Sequence, residues 1–327
     1  MIAVGGQRME PADLPHDFDF DPRYGYDLEA LHKVEAPLPP DDFVAFWQAL
    51  CRDARAVQPL PVSREIHSPV ADLRLFEIEF TSRDSCRIGG WLTLPRSGPV
   101  RRGVVVGHGY GGRDGPDLKL PMRDAAAIFP CARGMSRSAH PRVPADANRH
   151  VVCGIHDRRS YVLGGCAADT VWCAASALHE LVPETMARLD YMGISFGGGI
   201  GALALPWDER FASGHLNVPT FGNHPLRLTL PCVGSGEAIR HYHRHCGDVL
   251  GVLRYFDAAS AARHLHIPMH LAPALFDPAV PPPGQFAICN ATAGPRQLFV
   301  LQAGHYEHAG KADEDQRLLV SLIAFFQ

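Results

Sequence analysis

The sequence predicts an α/β protein with a mostly parallel, doubly wound sheet that is flanked by helices. Strand-like segments alternate with segments of helical spacing, which is typical of parallel strands joined by crossover helices. Gly103 to Gly107 is a short β-branched run, GVVVG, as expected for a central strand that is buried on both faces. Gly193 to Gly197 reads GISFG and joins an apolar run at 186–192 to small residues at 198–205.

The first half of the chain begins with a lead-in, residues 1–40, that is rich in Pro, Asp and Gly. A helix is predicted from Asp41 to Arg55, because two prolines precede it and its large apolar residues recur at helical spacing. The segment 113–165 has no clear period and is expected to be mostly loop. The other elements predicted in this half are strands at 73–80, 87–94 and 103–107, a weak strand at 126–131, and a helix at 167–181.

The second half continues the alternation after the GISFG segment. A Pro- and His-rich stretch, 219–248, is expected to form an insertion over the sheet. The predicted elements are strands at 211–218, 267–275 and 297–301, partly helical structure at 249–264, and helices at 285–291 and 313–326. We therefore expect one domain over 1–327, with an N-terminal arm and helix at 1–60 as an extension.

Composition excludes several classes of function. The net charge of −4 gives no basic footprint for nucleic acid or an anionic membrane. No apolar run reaches membrane-spanning length, and residues 1–22 lack the basic and then apolar form of a signal peptide. The nine cysteines are scattered without a C-x-x-C pair, which indicates reduced thiols. These features predict a cytoplasmic protein.

The GISFG segment matches the pattern G-x-S-x-G between a strand and a helix. In α/β-hydrolases this arrangement is the nucleophile elbow, in which a serine sits on a sharp, strained turn. The flanking residues must be small, since the strand and the helix approach each other closely there. The pattern therefore predicts an α/β-hydrolase fold with Ser195 as the nucleophile.

A serine hydroxyl needs a base to take its proton and an acid to orient that base. In this fold the chain order is serine, acid, histidine. His305 comes just after the last predicted strand, and Gly304 allows a tight turn there; His308 is the alternative. Asp277 follows the preceding strand, in a loop stiffened by several prolines. Ser195, Asp277 and His305 are therefore the predicted catalytic residues.

An oxyanion hole requires backbone N–H groups that point at the developing negative charge. One should come from Phe196, directly after the nucleophile, and the other from the loop that follows GVVVG. That loop reads HGYGG, and Tyr110 is the candidate donor. Tyr110 and Phe196 are also expected to line the substrate site. His108 precedes the nucleophile and is expected to hold the loop rather than to act as a base.

Two other groups of residues have alternative interpretations. His241, His243 and His245 alternate like the ligands of a metal site, but no second cluster at finger spacing accompanies them. Asp257 is a rival acid, although a helical stretch follows it, which favours a helix cap. Gly197 to Gly199 is not followed by G-K-[ST], so a phosphate loop is not predicted. We expect neither a metal nor a cofactor.

Several segments resemble the acetyl xylan esterase/cephalosporin C deacetylase family of α/β-hydrolases. The resemblance runs through most of the chain but is poor over 114–160. The matching segments are PDDFxxFW at 40–47, RIGGWL at 87–92 followed by Pro95, HGYGGR at 108–113, ARG at 132–134, YFD at 255–257, IP at 267–268, FDPxVPP at 276–282 and GHxE at 304–307.

The resemblance implies the same three catalytic residues and an ester hydrolase acting on small acyl groups. Its implied substrates are acetylated small molecules, chiefly acetylated sugars or a cephalosporin side chain, and its implied assembly is a homo-oligomer, a ring-like hexamer. Phe196 departs from the family, which usually has Gln after the nucleophile; we expect this ring to wall the acyl site and favour short acyl groups. Two alternatives remain: hydrolysis of another acyl bond, such as a lactone or peptide, and an inactive α/β-hydrolase that serves as a binding module.

Overall fold

A computed structural model describes residues 14–327 of the chain. Its strands follow the predicted alternation with helices. They are β1 (Val62–Ile66), β2 (Leu73–Thr81), β3 (Arg87–Pro95), β4 (Arg102–Gly107), β5 (Ala125–Pro130), β6 (Leu189–Ile194), β7 (Phe211–Asn217), β8 (Met269–Ala272), β9 (Ala274–Phe276), β10 (Arg296–Leu298) and β11 (Leu301–Ala303).

The helices range from single turns to fifteen residues. They are α1 (Leu28–Leu31), α2 (Phe43–Arg55), α3 (Ala147–His150), α4 (Val162–Ala167), α5 (Cys173–Leu181), α6 (Phe196–Ala204), α7 (His224–Arg227), α8 (Ser235–His245), α9 (Leu250–Leu253), α10 (Ala258–Ala262), α11 (Pro282–Ala291) and α12 (Lys311–Phe325). A π-helical turn, Ala168–Trp172, joins α4 to α5. Short 3₁₀ turns occur at Arg83–Ser85, Ser136–Ser138, Pro183–Ala187, Leu205–Trp207 and Arg254–Phe256. None of the helices described is long and apolar enough to cross a membrane.

Nine strands form one sheet in the order β1-β2-β3-β5-β4-β6-β7-β8-β10. The pairs from β5 through β4, β6, β7 and β8 to β10 are all parallel, whereas β1, β2 and β3 add an antiparallel edge. The predicted mostly parallel sheet is therefore confirmed. Because parallel strands end at the same edge, the loops after β4 and β6 lie together there. The strands β9 and β11 form a separate two-stranded parallel sheet.

Apolar side chains fill the space on both faces of the sheet. On one face, the buried rings of Trp47, Trp172 and Phe256 pack edge to face, with Trp47 lying 6.2 Å and 5.5 Å from the other two. On the opposite face, Leu318 and Leu322 of α12 pack against the sheet. Aromatic rings bury large apolar areas, so the first cluster fixes α2 against the π-helical turn. All nine cysteines are free thiols, and most are buried.

The structure corrects several predicted elements. The exposed edge strand β1 was missed, because it lacks the alternation of a half-buried strand. The predicted strands at 267–275 and 297–301 are each split in two, the first at Pro273, which has no N–H to donate to a ladder. The helix at 167–181 begins earlier, at Val162. Residues 1–13 of the predicted arm lie outside the described residues.

The segment 219–248, which was predicted to be an insertion over the sheet, contains the helices α7 and α8. His241, His243 and His245 lie on α8, so alternation does not place them on one face. His241 and His245 stack with ring centroids 4.5 Å apart. Over residues 14–327 no group of three or more His, Cys, Asp or Glu side chains is arranged to hold a metal ion.

Two histidines on adjacent strands form a buried neutral pair. His215 Nδ1 lies 3.2 Å from the His270 carbonyl oxygen and 3.1 Å from His270 Nδ1. Since a carbonyl only accepts, His215 Nδ1–H is the donor, and His270 Nε2–H can donate to Ser321 Oγ at 3.0 Å. Burial lowers the pKa of His215 to about 3 and that of His270 to about 4.

This pair predicts a loss of stability in acid. Both folded-state pKa values lie below the ordinary value of about 6.5, so the unfolded chain binds protons first as the pH falls. The stability that this pair contributes should therefore be constant above about pH 7 and decrease between about pH 6.5 and 4, with each histidine contributing at most about 1.4 kcal/mol per pH unit. The measurement is the free energy of unfolding in urea at pH 7.5, 6 and 5.

The variant His270→Gln should reduce this pH dependence, because it removes one of the two protonation sites. His67→Gln, which changes an exposed histidine, is the matched control and should leave the dependence as in wild type. An equal decrease with pH in wild type and His270→Gln would contradict the assignment.

Candidate active site

Ser195 occupies a strained turn between β6 and α6. Its backbone has φ 54° and ψ −110°, a conformation that costs about 1–3 kcal/mol for a residue with a side chain. Two hydrogen bonds hold the turn: the Gly197 amide donates to the His108 carbonyl at 2.8 Å, and the Tyr191 hydroxyl donates to the Gly197 carbonyl at 2.7 Å. A Cβ on Gly197 would lie 2.7 Å from the Gly107 carbonyl carbon. Only glycine permits this approach of α6 to β4.

A continuous chain of hydrogen bonds joins Ser195, His305 and Asp277. His305 Nε2 lies 2.8 Å from Ser195 Oγ, and His305 Nδ1 lies 2.8 Å from Asp277 Oδ2. A carboxylate can only accept, so Nδ1 carries the proton and Nε2 is left to accept from the serine hydroxyl. This is the geometry of a nucleophile, its base and an orienting acid.

The strand pair β9–β11 brings the acid and the base together. Ala303 pairs with Phe276 in parallel register, and the Gly304 amide donates to the Phe276 carbonyl at 2.8 Å. Asp277 directly follows β9, and His305 follows β11 after one residue, Gly304. A Cβ on Gly304 would lie 2.4 Å from Asp277 Oδ2. Glycine at 304 is therefore required for the imidazole to reach the carboxylate.

Asp277 is fully buried and fully hydrogen-bonded. Its Oδ1 accepts from the amides of Ala279 and Val280, both at 2.9 Å, and its Oδ2 accepts from Gln285 Nε2 at 2.9 Å. The Pro22 carbonyl of the N-terminal segment accepts from the Asp277 amide at 3.2 Å. These bonds keep the carboxylate in one orientation. Gln285 was missed as a site residue, since the sequence suggested only that it begins a helix.

The His305 imidazole is a stronger base than an ordinary histidine. Burial lowers its pKa, but the charge of Asp277 and the hydrogen bond to that carboxylate outweigh the burial, so the net pKa is raised. A raised pKa suits a group that must take a proton from serine and later return it.

The loop after β4 lies over the nucleophile and has free N–H groups. A Cβ on Gly109 would be 3.8 Å from the Ser195 Cβ. Among the residues described, neither the Tyr110 amide nor the Phe196 amide donates to a protein acceptor. His108 fixes the loop: its Nδ1–H donates to the Gly109 carbonyl at 2.6 Å, and its Nε2 accepts from the Ala132 amide at 3.0 Å. Both amides are thus available to an oxyanion.

The cavity beside Ser195 has a volume of about 300 Å³. Tyr110 lines it as expected, but the Phe196 ring does not. Its lining residues are small, apolar or part of the triad: Gly109, Tyr110, Ala147, Ile194, Ser195, Thr220, Val233, Gly234, Ser235, Ala279, Val280 and His305.

The Phe196 ring lies in an aromatic layer behind this cavity. It is 1% exposed and packs on the Tyr110 ring at 4.4 Å, with His150 and Phe221 edge to face at 6.1 Å each. The reason is local: Phe196 is the first residue of α6, and its side chain points into the core rather than toward solvent. The Phe196 ring was expected to form a wall of the acyl site. Tyr110 lines the cavity instead, and the Phe196 ring packs against the Tyr110 ring from the core side.

His150 is a second residue that sequence reasoning missed. Its Nε2–H donates to the Arg133 carbonyl at 3.0 Å, which leaves Nδ1 to accept from the Tyr110 hydroxyl at 3.4 Å. Arg133 is fixed in turn by Asp169, with Nε to Oδ2 at 2.8 Å. No local signal distinguishes His150 among the 18 histidines of the chain, because its partners are distant in sequence.

The rival candidates, Asp257 and His308, have structural roles. Asp257 caps α10 and accepts from four backbone amides, those of Asn223, His224, Ala259 and Ser260, at 2.7–3.3 Å. His308 Nε2 lies 3.6 Å from Glu314 Oε2. Neither hydrogen-bonds to Ser195, Asp277 or His305 in the described part of the chain.

Comparison with known proteins points to one family. A sequence model of the acetyl xylan esterase family, AXE1, matches residues 26–321. The fold is similar to that of acetyl xylan esterase 1 from Thermoanaerobacterium sp. JW/SL YS485, with 21% identity over 93% of this chain and 99% of that one and a TM-score of 0.78. It is equally similar to the acetyl xylan esterase from Paenibacillus sp. R4, with 22% identity over 91% and 99% of the two chains and a TM-score of 0.78.

More distant structures have the same fold with other activities. The acylaminoacyl peptidase from Pyrococcus horikoshii is 15% identical over 83% of this chain and 42% of that one, with a TM-score of 0.58. At such identities the likeness concerns the fold alone. Among proteins with curated functions, no match was found.

The two buried aspartates should respond differently to substitution by asparagine. Asp277→Asn should preserve the shape but favour the wrong imidazole tautomer, so turnover of p-nitrophenyl acetate should fall by up to about 10⁴-fold. Asp257→Asn, the control, should mainly lower the unfolding temperature, because a carboxylate that accepts four amides is replaced by a weaker acceptor. If Asp257→Asn lowered the rate more than Asp277→Asn, the orienting acid would be Asp257 and the assignment of Asp277 would be wrong.

Proposed function

Because the chain belongs to the acetyl xylan esterase family and is a serine ester hydrolase, we propose that it removes small acyl groups, above all acetyl, from small-molecule esters. The reaction would use Ser195, His305 and Asp277 and pass through an acyl-enzyme. The observation that carries this proposal is the unbroken chain of 2.8 Å hydrogen bonds from Ser195 Oγ to the Asp277 carboxylate. A module that only binds would not need that chain to be complete.

In the first step Ser195 Oγ attacks the ester carbonyl carbon while its proton moves to His305 Nε2. The carbonyl oxygen becomes an oxyanion, which the amides of Tyr110 and Phe196 stabilise. Asp277 stabilises the imidazolium and holds its ring in place. The tetrahedral intermediate collapses when His305 returns the proton to the departing alcohol oxygen. The alcohol leaves, and the acyl group remains on Ser195.

In the second step a water molecule takes the place of the alcohol. His305 Nε2 removes a proton from the water, whose oxygen attacks the acyl carbon. The same two amides hold the second oxyanion, and the Ser195–acyl bond breaks as the proton passes to Ser195 Oγ. The carboxylic acid is released and the enzyme is regenerated. Every proton in the cycle moves through one atom, His305 Nε2.

The aromatic layer supports a short acyl group. Tyr110 lines the cavity, Phe196 packs on it at 4.4 Å, and Phe221 and His150 close the layer behind Phe196. A long acyl chain in this direction would have to displace a packed ring. We therefore place the acyl methyl of an acetate against Tyr110.

The proposal extends to the assembly and the compartment. We propose a homo-oligomer, the ring-like hexamer that the family resemblance implies, and light scattering in solution would measure its mass. A cytoplasmic location is supported by nine free thiols, most of them buried. Fractionation of the source cells would test it.

Removing the nucleophile should abolish turnover and the acyl-enzyme together. In a pre-steady-state assay with p-nitrophenyl acetate, wild type should release a burst of p-nitrophenol close to one equivalent per site if deacylation is the slower step. Ser195→Ala should lack the burst and lose about 10³-fold or more in kcat, since the triad acts as a unit. A Ser195→Ala variant that keeps more than about a tenth of wild-type turnover would remove Ser195 from the mechanism.

The acyl chain should be limited by the ring of Tyr110. Wild type should give the highest kcat/KM with p-nitrophenyl acetate, less with the butyrate and least with the octanoate. Phe196→Ala should raise the butyrate-to-acetate ratio, because Tyr110 loses the ring that supports it. Phe211→Ala removes a buried ring from the start of β7 and should leave the ratio unchanged. The other end of that strand, at Asn217, is the one that contacts Ser195. Faster cleavage of octanoate than acetate by wild type would contradict the short-acyl proposal.

A further inference from the structure

Two exposed apolar side chains lie at the mouth of the catalytic cavity. Ile194, directly before the nucleophile, is 46% exposed, and Val233, before α8, is 40% exposed. Both line the cavity that contains Ser195 and His305. Ala147, Ala279 and Val280 add further apolar groups to the lining of the same cavity.

The position of these two side chains distinguishes them from the other exposed apolar side chains. Single exposed apolar residues are normal on a protein surface and need no explanation. Of the large apolar side chains that are exposed within residues 14–327, however, only Ile194 and Val233 line this cavity. Convergent apolar groups around a reactive centre are typical of a ligand-binding surface.

Few polar side chains in this cavity could bind a polyol. Apart from the triad and the Tyr110 hydroxyl, which is directed at His150, the lining side chains that can form hydrogen bonds are those of Thr220 and Ser235. The Thr220 hydroxyl oxygen has almost no accessible surface, so a ligand in the cavity does not reach it directly. A sugar ring here would lose water from several hydroxyls and regain few hydrogen bonds, which is unfavourable.

We place the alcohol at this apolar mouth, because the short acyl group is assigned to Tyr110 and the aromatic layer behind it. A second groove contains polar side chains, including those of Asn148, Arg149 and Glu237, and it shares Val233 and Gly234 with the catalytic cavity. Val233 is the one apolar side chain that the cavity and the groove share. An alcohol that extends from the cavity into the groove therefore passes this side chain.

We propose that the preferred substrates are acetates of alkyl or aryl alcohols, in which the group attached to the ester oxygen is a hydrocarbon rather than a polyol. Ile194 and Val233 are the residues that determine this specificity. The inference rests on the proposed esterase function and names the class of alcohol that the same site accepts.

The test compares two acetates that differ only in the polarity of the ring. Cyclohexylmethyl acetate and 6-O-acetylglucose both carry a six-membered ring on a CH₂–O–acetyl group, so the leaving alcohols have similar chemistry. Wild type should hydrolyse cyclohexylmethyl acetate with a kcat/KM about tenfold higher or more, the discrimination that a few apolar contacts can provide. Acetate release is measured for both.

A matched pair of variants then tests the residue. Val233→Thr keeps the side-chain shape but replaces a methyl with a hydroxyl, and it should lower the cyclohexylmethyl-to-glucose ratio by about threefold or more. Val320→Thr makes the same change on α12, at a valine that is 57% exposed and does not line the cavity. It should leave the ratio as in wild type.

The possible outcomes separate this inference from the proposed function. If neither acetate is hydrolysed, the esterase proposal fails. If both are hydrolysed and 6-O-acetylglucose is preferred, the esterase proposal stands and the apolar-alcohol inference is overturned. An unchanged substrate ratio in Val233→Thr would also overturn the apolar-alcohol inference. If the ratio stayed the same and only the oligomeric mass changed, Val233 would be an assembly contact and not a specificity residue.

Discussion

The proposed catalytic site depends on one close backbone approach, between the first turn of α6 and the end of β4. The Gly197 amide bonds to the His108 carbonyl, and Gly197 lies so close to Gly107 that no side chain fits between them. This contact fixes the turn that holds Ser195 at φ 54°. It also fixes where the HGYGG loop leaves β4, so the proposed nucleophile and the proposed oxyanion donors are positioned by the same interaction. The strain at Ser195 is offset by these bonds and by the buried Tyr191 hydroxyl.

The other half of the site is positioned by a separate device, the short parallel pair β9–β11. Its register places Asp277 and His305 side by side, and Gly304 leaves room for the imidazole. The N-terminal segment braces this pair from outside. The Pro22 carbonyl accepts from the Asp277 amide, and His16 packs on Phe276 at 5.5 Å. The segment that the sequence suggested to be a simple lead-in thus contacts the residues that hold the acid.

The sequence was most informative where local chemistry is restrictive. A serine between glycines at a strand–helix junction has few structural explanations, and the positions of Asp277 and His305 after strands follow from the chain order of this fold.

The supporting residues were not predictable in the same way. His150 reaches Tyr110, and Gln285 reaches Asp277, only through tertiary packing. The Phe196 side chain was placed at the acyl site because its amide belongs there, but the first residue of α6 turns its ring into the core. The alternate spacing of His241, His243 and His245 would place the three side chains on one face only of a strand, whereas the structure has them on α8.

The central claim is that the strained turn at residue 195 carries the reacting nucleophile. The most direct measurement is covalent labelling with diethyl p-nitrophenyl phosphate, followed by intact mass and peptide mapping. A serine activated by His305 should take up one diethylphosphoryl group per chain, located on Ser195, with release of one p-nitrophenol. Protein unfolded in urea should take up none, because the activating geometry is lost. Absence of an adduct on the folded enzyme, or an adduct on a different residue, would contradict the account.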